Sequence, residues 1–233
     1  MCEAHLFSGL GAEQVCQIQG MVSKRSYRPH EILFREKDPD TYLFLLREGQ
    51  VKLTTSLPDG RQQILGLRVA GHLLGFATLD DRAYPYTAEA LTPVQLCIIR
   101  HRSMLRVLRQ NPEVSLRLIR MLNDELERSQ ALIRDLGLKT ASEKVASFVL
   151  SLVPPRAPYP TSVSLVLSRQ EIAGMLGLTV ETVSRTIAEF KRTGVIQTPH
   201  KQILILDMAR LRTLAGSSTK PDEDNKQVIP INN

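Results

Sequence analysis

Between Pro112 and Gly137 the sequence EVSLRLIRMLNDELERSQALIRDL contains neither glycine nor proline. Within it Ile119, Leu122, Leu126, Ser129, Ile133 and Leu136 recur at alternating spacings of three and four, with Ser129 the one polar member. That alternation lines them up along one face of an α-helix, at the a and d positions of a heptad. The other faces carry Arg117, Arg120, Asp124, Glu125, Glu127, Arg128, Arg134 and Asp135. A helix of about 25 residues is roughly 37 Å long, more than a small preceding domain needs to cover itself. A dimer-forming coiled coil is therefore preferred over a helix lying wholly on that domain, which would show a similar stripe. The long helix divides the chain into residues 1–110, the helix 111–137, a second domain 138–215 and a tail 216–233.

The residues before the helix have a different period. HEILFRE, TYLFLLREGQVKLTTSL, RQQILGLRVAG, YTAEAL and VQLCIIR are apolar and β-branched runs of strand length. They are separated by Gly49, Pro58-Asp59-Gly60, Gly71 and Gly75. In LPDGR the proline presets φ and the glycine accepts a positive φ, which makes a turn. Evenly spaced short strands predict a small antiparallel roll or barrel, with a β-sandwich of another type as the competing reading.

After a hinge at Gly137–Lys139, SEKVASFVLSLV reads as an amphipathic helix and PPRAPYPTS as a loop. SRQEIAGMLGLTVETVSRTIAEFKRTG then meets the physical requirements of a helix-turn-helix. Ser168 is an N-cap with Glu171 in the capping-box position. Ala173 is small where the second helix crosses closely, Gly177 supplies a positive φ in the turn, and Thr179 caps the second helix. Val180, Val183, Ile187 and Phe190 are expected to face the core, while Glu181, Ser184, Arg185 and Ala188 form the outward face near the N-terminal end. A recognition helix uses that end to reach base edges in the major groove.

The residue types suit base reading. Arg185 can bond guanine O6 and N7 together, Glu181 can accept from cytosine N4, and Ser184 can reach a neighbouring base. A carboxylate repels phosphate, so a glutamate in a groove makes sense as a base reader. Ser168, Arg169, Thr179, Thr182, Lys191, Arg192 and Lys201 are candidate phosphate contacts, which position a domain without specifying sequence. The bland alternative is an i,i+4 surface pair of Glu181 with Arg185. GVIQTPHKQILIL completes the domain as a hairpin turning near Pro199-His200-Lys201, giving a winged helix-turn-helix. Residues 216–233 read as a polar, disordered tail.

Charge agrees with this division. The chain carries a net charge of +6; residues 140–215 hold 9 Lys+Arg against 5 Asp+Glu, whereas residues 1–139 hold 19 against 16. A basic second domain suits a phosphate partner. No run approaches the length of a membrane span, and MCEAHLFSGL lacks the basic and apolar blocks of a secretion signal, so the expected compartment is the cytoplasm. No His-Asp-Ser order, HExxH, P-loop or GxGxxG with a following acid is present, so an enzyme is not expected. Cys2, Cys16 and Cys97 form neither a disulfide framework nor a zinc pattern. Reduced thiols are expected, with Cys97 a small core residue. No metal site is expected.

Roll, long helix and winged helix-turn-helix, in that order, resemble the family of the cAMP receptor protein and the fumarate–nitrate reduction regulator, from about Leu6 to Leu214. The fold class implied is α+β. LGLTVETVSR is similar to the recognition helix of the fumarate–nitrate reduction branch, which carries Glu-x-x-Ser-Arg, here Glu181, Ser184 and Arg185. AGHLLGF and YPYTAEAL are similar to the same branch. The resemblance implies a homodimeric transcription regulator that binds double-stranded DNA at an inverted repeat of TTGAT-type half-sites and contacts RNA polymerase when it activates. A cyclic-nucleotide-binding signalling module, with the helix-turn-helix merely structural, is the rival from a different class.

Two departures from the family concern its effectors. Its cyclic-nucleotide binders carry a Glu after the roll glycine and an Arg-Ser or Arg-Thr for the phosphate. Here Phe76 follows Gly75, the phosphate position falls near Pro85-Tyr86, and Arg82 is out of register, which argues against cAMP. The oxygen sensors hold a [4Fe–4S] cluster on four cysteines, and three cysteines cannot supply four thiolates. What remains is haem on His5, His30, His72 or His101, a thiol switch joining Cys16 to another cysteine or using Cys2, an unidentified effector, or control by abundance alone, as the resemblance to nitrogen-fixation regulators implies.

Overall fold

The computed structural model describes residues 5–7, 18, 20–39, 41–76, 83–153, 161–200 and 202–216. The chain divides into two compact units, Met1–Arg134 with Val166–Gly177, and Asp135–Leu165 with Leu178–Asn233. The fold class is α+β, as the strand and helix periodicities require.

The first unit contains eight antiparallel strands in two sheets. Strands β1 (Val22–Tyr27), β8 (Val94–Arg100), β3 (Tyr42–Glu48) and β6 (Leu73–Leu74) form one, in that order. Strands β2 (Ile32–Phe34), β7 (Thr87–Ala90), β4 (Val51–Ser56) and β5 (Gln62–Arg68) form the other. The alternation of each strand sends one side-chain row between the sheets. Phe34, Val51, Leu53, Ala88 and Ala90 from one sheet meet Phe44, Leu46, Leu74, Leu96 and Ile98 from the other in a single core. Phe34 stacks on Tyr84 with ring centroids 4.0 Å apart. The Tyr84 hydroxyl accepts from the Tyr42 amide and donates to the Tyr42 carbonyl, both at 3.0 Å. The LPDGR turn joins β4 to β5 as expected, with Gly60 at φ +86°.

The opposite face of β3 and β8 supports the helices. Leu43, Leu45, Cys97 and Ile99 pack with Leu6 and Ile18, with Met104 and Val107 of α1 (His101–Gln110), and with Val114 and Leu118 of α2 (Pro112–Leu138). Asn111, 7% exposed, joins the two helices: its amide and side-chain NH2 both donate to the Val107 carbonyl, at 2.9 and 3.0 Å. Farther along α2, Arg68 of β5 pairs with Glu125, and Arg128 reaches the same carboxylate at 3.2 Å. Strand β1 and helix α1 escape sequence reading. VSKRSY is an exposed edge strand without apolar alternation, and HRSMLRVLRQ hides a short apolar stripe among three arginines.

Helix α4 (Arg169–Leu176) also belongs to the first unit and packs on β5. Lys52 lies between Glu89 and Glu171, at 3.1 and 2.9 Å. Burial opposes its charge, but the hydrogen bonds it donates to both carboxylates outweigh burial and raise its pKa. The Gln63 amide donates to the Gly174 carbonyl at 3.2 Å.

In the second unit α3 (Ala141–Ser151) starts at a Thr140–Glu143 capping box and packs on α5 (Val180–Arg192) and α6 (Met208–Leu214). Strands β9 (Thr161–Ser164), β11 (Gln202–Ile205) and β10 (Ile196–Gln197) form an antiparallel wing, with β11 in the middle. The hairpin turns where expected, with His200 at φ +38° and the Gln202 amide on the Pro199 carbonyl at 2.8 Å.

His72 sits at the edge of the first unit, its Nδ1 accepting the Val69 amide at 3.1 Å. Burial, with the charges of Arg128 and Arg68 behind it, lowers its pKa to about 4. From its ordinary value down to about 4, the unfolded chain binds a proton that the folded chain refuses. Stability therefore falls as pH drops through that window, by up to about 3 kcal/mol. Urea unfolding at neutral and at mildly acidic pH will show a loss about 2 kcal/mol smaller in His72→Asn than in the parent. Equal losses would assign the acid sensitivity to other groups.

Candidate nucleic-acid interface

Helix α4 begins as the sequence requires. Ser168 Oγ accepts the Glu171 amide at 3.2 Å, and the Glu171 carboxylate accepts the Ser168 amide at 2.9 Å. Burial works against the Glu171 charge, but the bonds from Lys52 and Ser168 prevail and lower its pKa. The helix stops at Gly177, which is left-handed at φ 61°, ψ 41° with its amide on the Ala173 carbonyl. A side chain there would pay the usual left-handed penalty of about 1–2 kcal/mol. Thr179 then caps α5, its Oγ1 accepting the Thr182 amide at 3.1 Å and lying 2.8 Å from Thr182 Oγ1.

Along α5, Val183, Ile187 and Phe190 are buried at 3% exposure or less. Val180 departs from the expected core stripe: it is 45% exposed. It is the first residue of the helix, and the apolar stripe gains its packing only one turn later. Glu181, Ser184, Arg185 and Ala188 are all exposed on the outward face. Glu181 and Arg185 have no ion-pair partner among the described residues, so the helix face is not a closed surface pair.

The candidate phosphate contacts fall into three groups. Thr179, Thr182, Lys191 and Arg192 lie on or beside α5, with Thr182 half-buried. Arg192 is engaged with the exposed Glu189 at 2.6 Å, whose carboxylate raises the guanidinium pKa. Ser168 and Arg169 start α4, where burial lowers the pKa of the half-buried Arg169. Lys201 lies outside the described residues. Sequence reasoning passed over Arg210, which donates to the Thr193 carbonyl at 3.1 Å and so holds the C-terminal end of α5. Its own amide is capped by Asp207 at 2.8 Å; the DxxR pattern was the available signal.

On α2 the heptad residues Ile119, Leu126, Ile133 and Leu136 are 59, 55, 71 and 38% exposed. Leu122 is half-buried beside the roll core, and Ser129 is exposed and turns its hydroxyl back to the Glu125 carbonyl at 3.0 Å. Val114 and Leu118, outside the heptad stripe, are the helix residues that the first unit buries.

The candidate effector groups are scattered. His30 is exposed beside Glu89 at 3.3 Å, His72 is the half-buried neutral ring above, and His101 Nε2 bonds the Gly75 carbonyl at 3.0 Å. The His5 side chain and Arg82 lie outside the described residues. Among the described residues no group of three or more His, Cys, Asp or Glu is placed to hold a metal. At Gly75, φ is +73° and a Cβ would lie 2.6 Å from the Tyr42 carbonyl oxygen. The Gly75 amide donates to the Tyr86 hydroxyl at 3.3 Å. Cys97 is 3% exposed, as expected of a core residue, but it is disulfide-bonded rather than a free thiol. Cys2 and Cys16 lie outside the described residues. Leu6 and Ile18 pack on the same face as Cys97, an approach of distant segments that cysteine spacing does not reveal.

Comparison with known proteins covers most of the chain. Residues 24–111 match the cyclic nucleotide-binding domain, and residues 143–214 the Crp-like helix-turn-helix domain. The transcriptional activator protein anr of Pseudomonas aeruginosa is 33% identical over 82% of this chain and 80% of its own length. The nitrogen fixation regulation protein FixK of Bradyrhizobium diazoefficiens is 34% identical over 90% of this chain and 89% of its own. The structure of FixK2 from Bradyrhizobium japonicum superposes with a TM-score of 0.75 at 28% identity, covering 85% of this chain and 99% of that one. Among the described residues no helix is long and apolar enough to cross a membrane. With a cyclic-nucleotide-type roll, a Crp-like helix-turn-helix and regulators rather than enzymes as its relatives, the chain belongs to the CRP/FNR family of transcription regulators.

Proposed function

We propose that the protein is a homodimeric, cytoplasmic transcription activator that reads TTGAT-type half-sites of an inverted repeat through Glu181, Ser184 and Arg185. The observation that carries this reading is the capped helix α5, whose first two turns present these three exposed side chains on one face while Val183, Ile187 and Phe190 anchor the other. Arg185 pairs with guanine through two parallel hydrogen bonds, and Glu181 accepts from the cytosine amino group. Lys191, Arg192, Thr179 and Thr182 hold phosphates and set the helix in the groove; Arg192 exchanges Glu189 for phosphate at little cost, because exposed pairs are weak. Relatives named as transcriptional activators support a productive contact with RNA polymerase once the dimer is bound.

Dimerisation through α2 follows from its surface. Ile119, Leu126 and Ile133 form an exposed apolar stripe on a continuous 27-residue helix, a surface that a monomer in water leaves unsatisfied. Two such helices bury it against each other, and a two-fold dimer suits an inverted repeat of half-sites. The Cys97 disulfide supports a thiol-based signal as the reading to test.

Three measurements test these statements. Fluorescence anisotropy on a TTGAT palindrome will show Arg185→Ala losing about 1–3 kcal/mol of discrimination at the G·C pair, while salt-dependent binding to scrambled DNA persists. Equal loss on both DNAs would remove the base-reading role. Leu126→Glu will sediment as a monomer in analytical ultracentrifugation, because a carboxylate buried in the seam costs several kcal/mol; a persistent dimer would place the interface elsewhere. DNA affinity will differ about fivefold or more between oxidised and reduced protein if the thiol carries the signal, and equal affinities would leave Cys97 a structural link.

A further inference from the structure

The inner face of the β1-β8-β3-β6 sheet reaches beyond the residues that fill the roll core. Ser23 pairs with Ile98, Arg25 with Leu96 and Tyr27 with Val94, while Tyr42 pairs with Arg100. Directly opposed residues share a face, so these side chains continue the rows of Phe44, Leu96 and Ile98. Together with Ser103, in the first turn of α1, they line a cavity of about 440 Å³. That is within the usual range for small-molecule sites.

Its chemistry is one-sided. The lining contains two guanidinium groups, two hydroxyls and two phenol rings, and no carboxylate. Neither Arg25 nor Arg100 has an ion-pair partner among the described residues. Arg100 lies over the Tyr42 ring, 5.8 Å from its centroid, which directs the guanidinium along the apolar wall. Arg100 is also the residue before α1, a helix with no acid in its first turn and no side-chain cap, so the positive end of the helix adds to the same field. Both arginines are exposed, and a concave site that presents two guanidiniums with no carboxylate in its lining suits an anion. The cavity is separate from the place where the family's cyclic-nucleotide binders hold their ligand, because Gly75, Phe76, Pro85 and Tyr86 do not line it.

We propose that this cavity binds a small organic anion, a planar apolar body carrying a carboxylate or phosphate head. The head lies between Arg25 and Arg100, the body rests against Tyr27 and Tyr42, and the Ser23 and Ser103 hydroxyls serve the remaining lone pairs. The site is connected to the long helix: β8 ends at Arg100, α1 follows directly, and the buried Asn111 leads into α2. This assignment is independent of the DNA-reading role and is tested without DNA.

Isothermal titration of the full chain with phenyl phosphate and with benzoate, and with phenol as the uncharged control, reads the site directly. The expected result is saturable binding of at least one anion, one per chain, with phenol at least about tenfold weaker. Arg25→Gln and Arg100→Gln should each weaken the anion about tenfold or more, while Lys24→Gln changes affinity by less than about twofold. Lys24 pairs with Cys97 and so faces the opposite side of the sheet, which makes it a control for general attraction to a basic surface. Ser23→Leu keeps both arginines, narrows the cavity and should abolish binding at an unchanged melting temperature. Benzoate binding alone identifies a carboxylate ligand, and phenyl phosphate binding alone a phosphate. The proposal is overturned if neither anion saturates by about 10 mM, if phenol binds as tightly, or if Lys24→Gln costs as much as Arg25→Gln.

Discussion

Helix α2 has two apolar surfaces on one cylinder, and the first unit satisfies only one of them. Consecutive residues on a helix are turned by about 100°, so seating Val114 and Leu118 against β3 and β8 turns Ile119 away from the roll. The Arg68–Glu125 pair, shared with Arg128, continues the attachment at mid-helix and fixes the rotation there. Leu126 and Ile133 are then held in solvent by the same rotation that buries Leu118. A helix of this length attached along one side leaves a free stripe, the surface proposed above for a second copy. The two readings of the stripe are therefore not exclusive, because packing on the first unit takes Val114 and Leu118 and leaves the neighbouring residues exposed.

The recognition helix depends on its ends as much as on its outward face. Gly177 stops α4 by taking a left-handed conformation, and Thr179 restarts the chain two residues later by satisfying the Thr182 amide. At the far end Arg210 holds the Thr193 carbonyl. Between these anchors the core side is occupied by Val183, Ile187 and Phe190, leaving the opposite side to groups that would gain little from the protein itself. Glu181 and Arg185 are four residues apart and of opposite charge, yet they form no ion pair. Their hydrogen-bonding capacity is therefore available to base edges. On the same helix Arg192 is committed to Glu189, but in full solvent, where such a pair is easily exchanged.

Much of this was legible from spacing and residue type. The Ser168 capping box, the LPDGR turn, the long helix and the hairpin turn are local, set by interactions between residues a few positions apart, and each is found where its sequence signature stands. Strand β1 was not legible, because an exposed edge strand has no apolar face to reveal its period. Helix α1 was obscured by three arginines around Met104 and Val107. Val180 matched the core stripe in spacing but sits at the helix start, where packing has not begun. Cys97 was recognisable as a core residue, whereas its disulfide depends on segments distant in sequence meeting on one sheet face.

By itself the sequence determined the order of strand-rich region, long helix and helix-turn-helix, the start of the long helix at Pro112, the outward face of helix α5 and the family, because periodicity, caps and turn residues act over single turns. Tertiary structure decided which stripe of α2 is consumed and which is free, since that depends on the rotation imposed by β3, β8 and Arg68. It also decided that Lys52 sits between Glu89 and Glu171, and that Arg25 and Arg100, far apart along the chain, line one cavity without an acid between them. Those are juxtapositions of residues separated by tens of positions. Only strand pairing and helix docking bring them within the few ångströms over which charges and hydrogen bonds act.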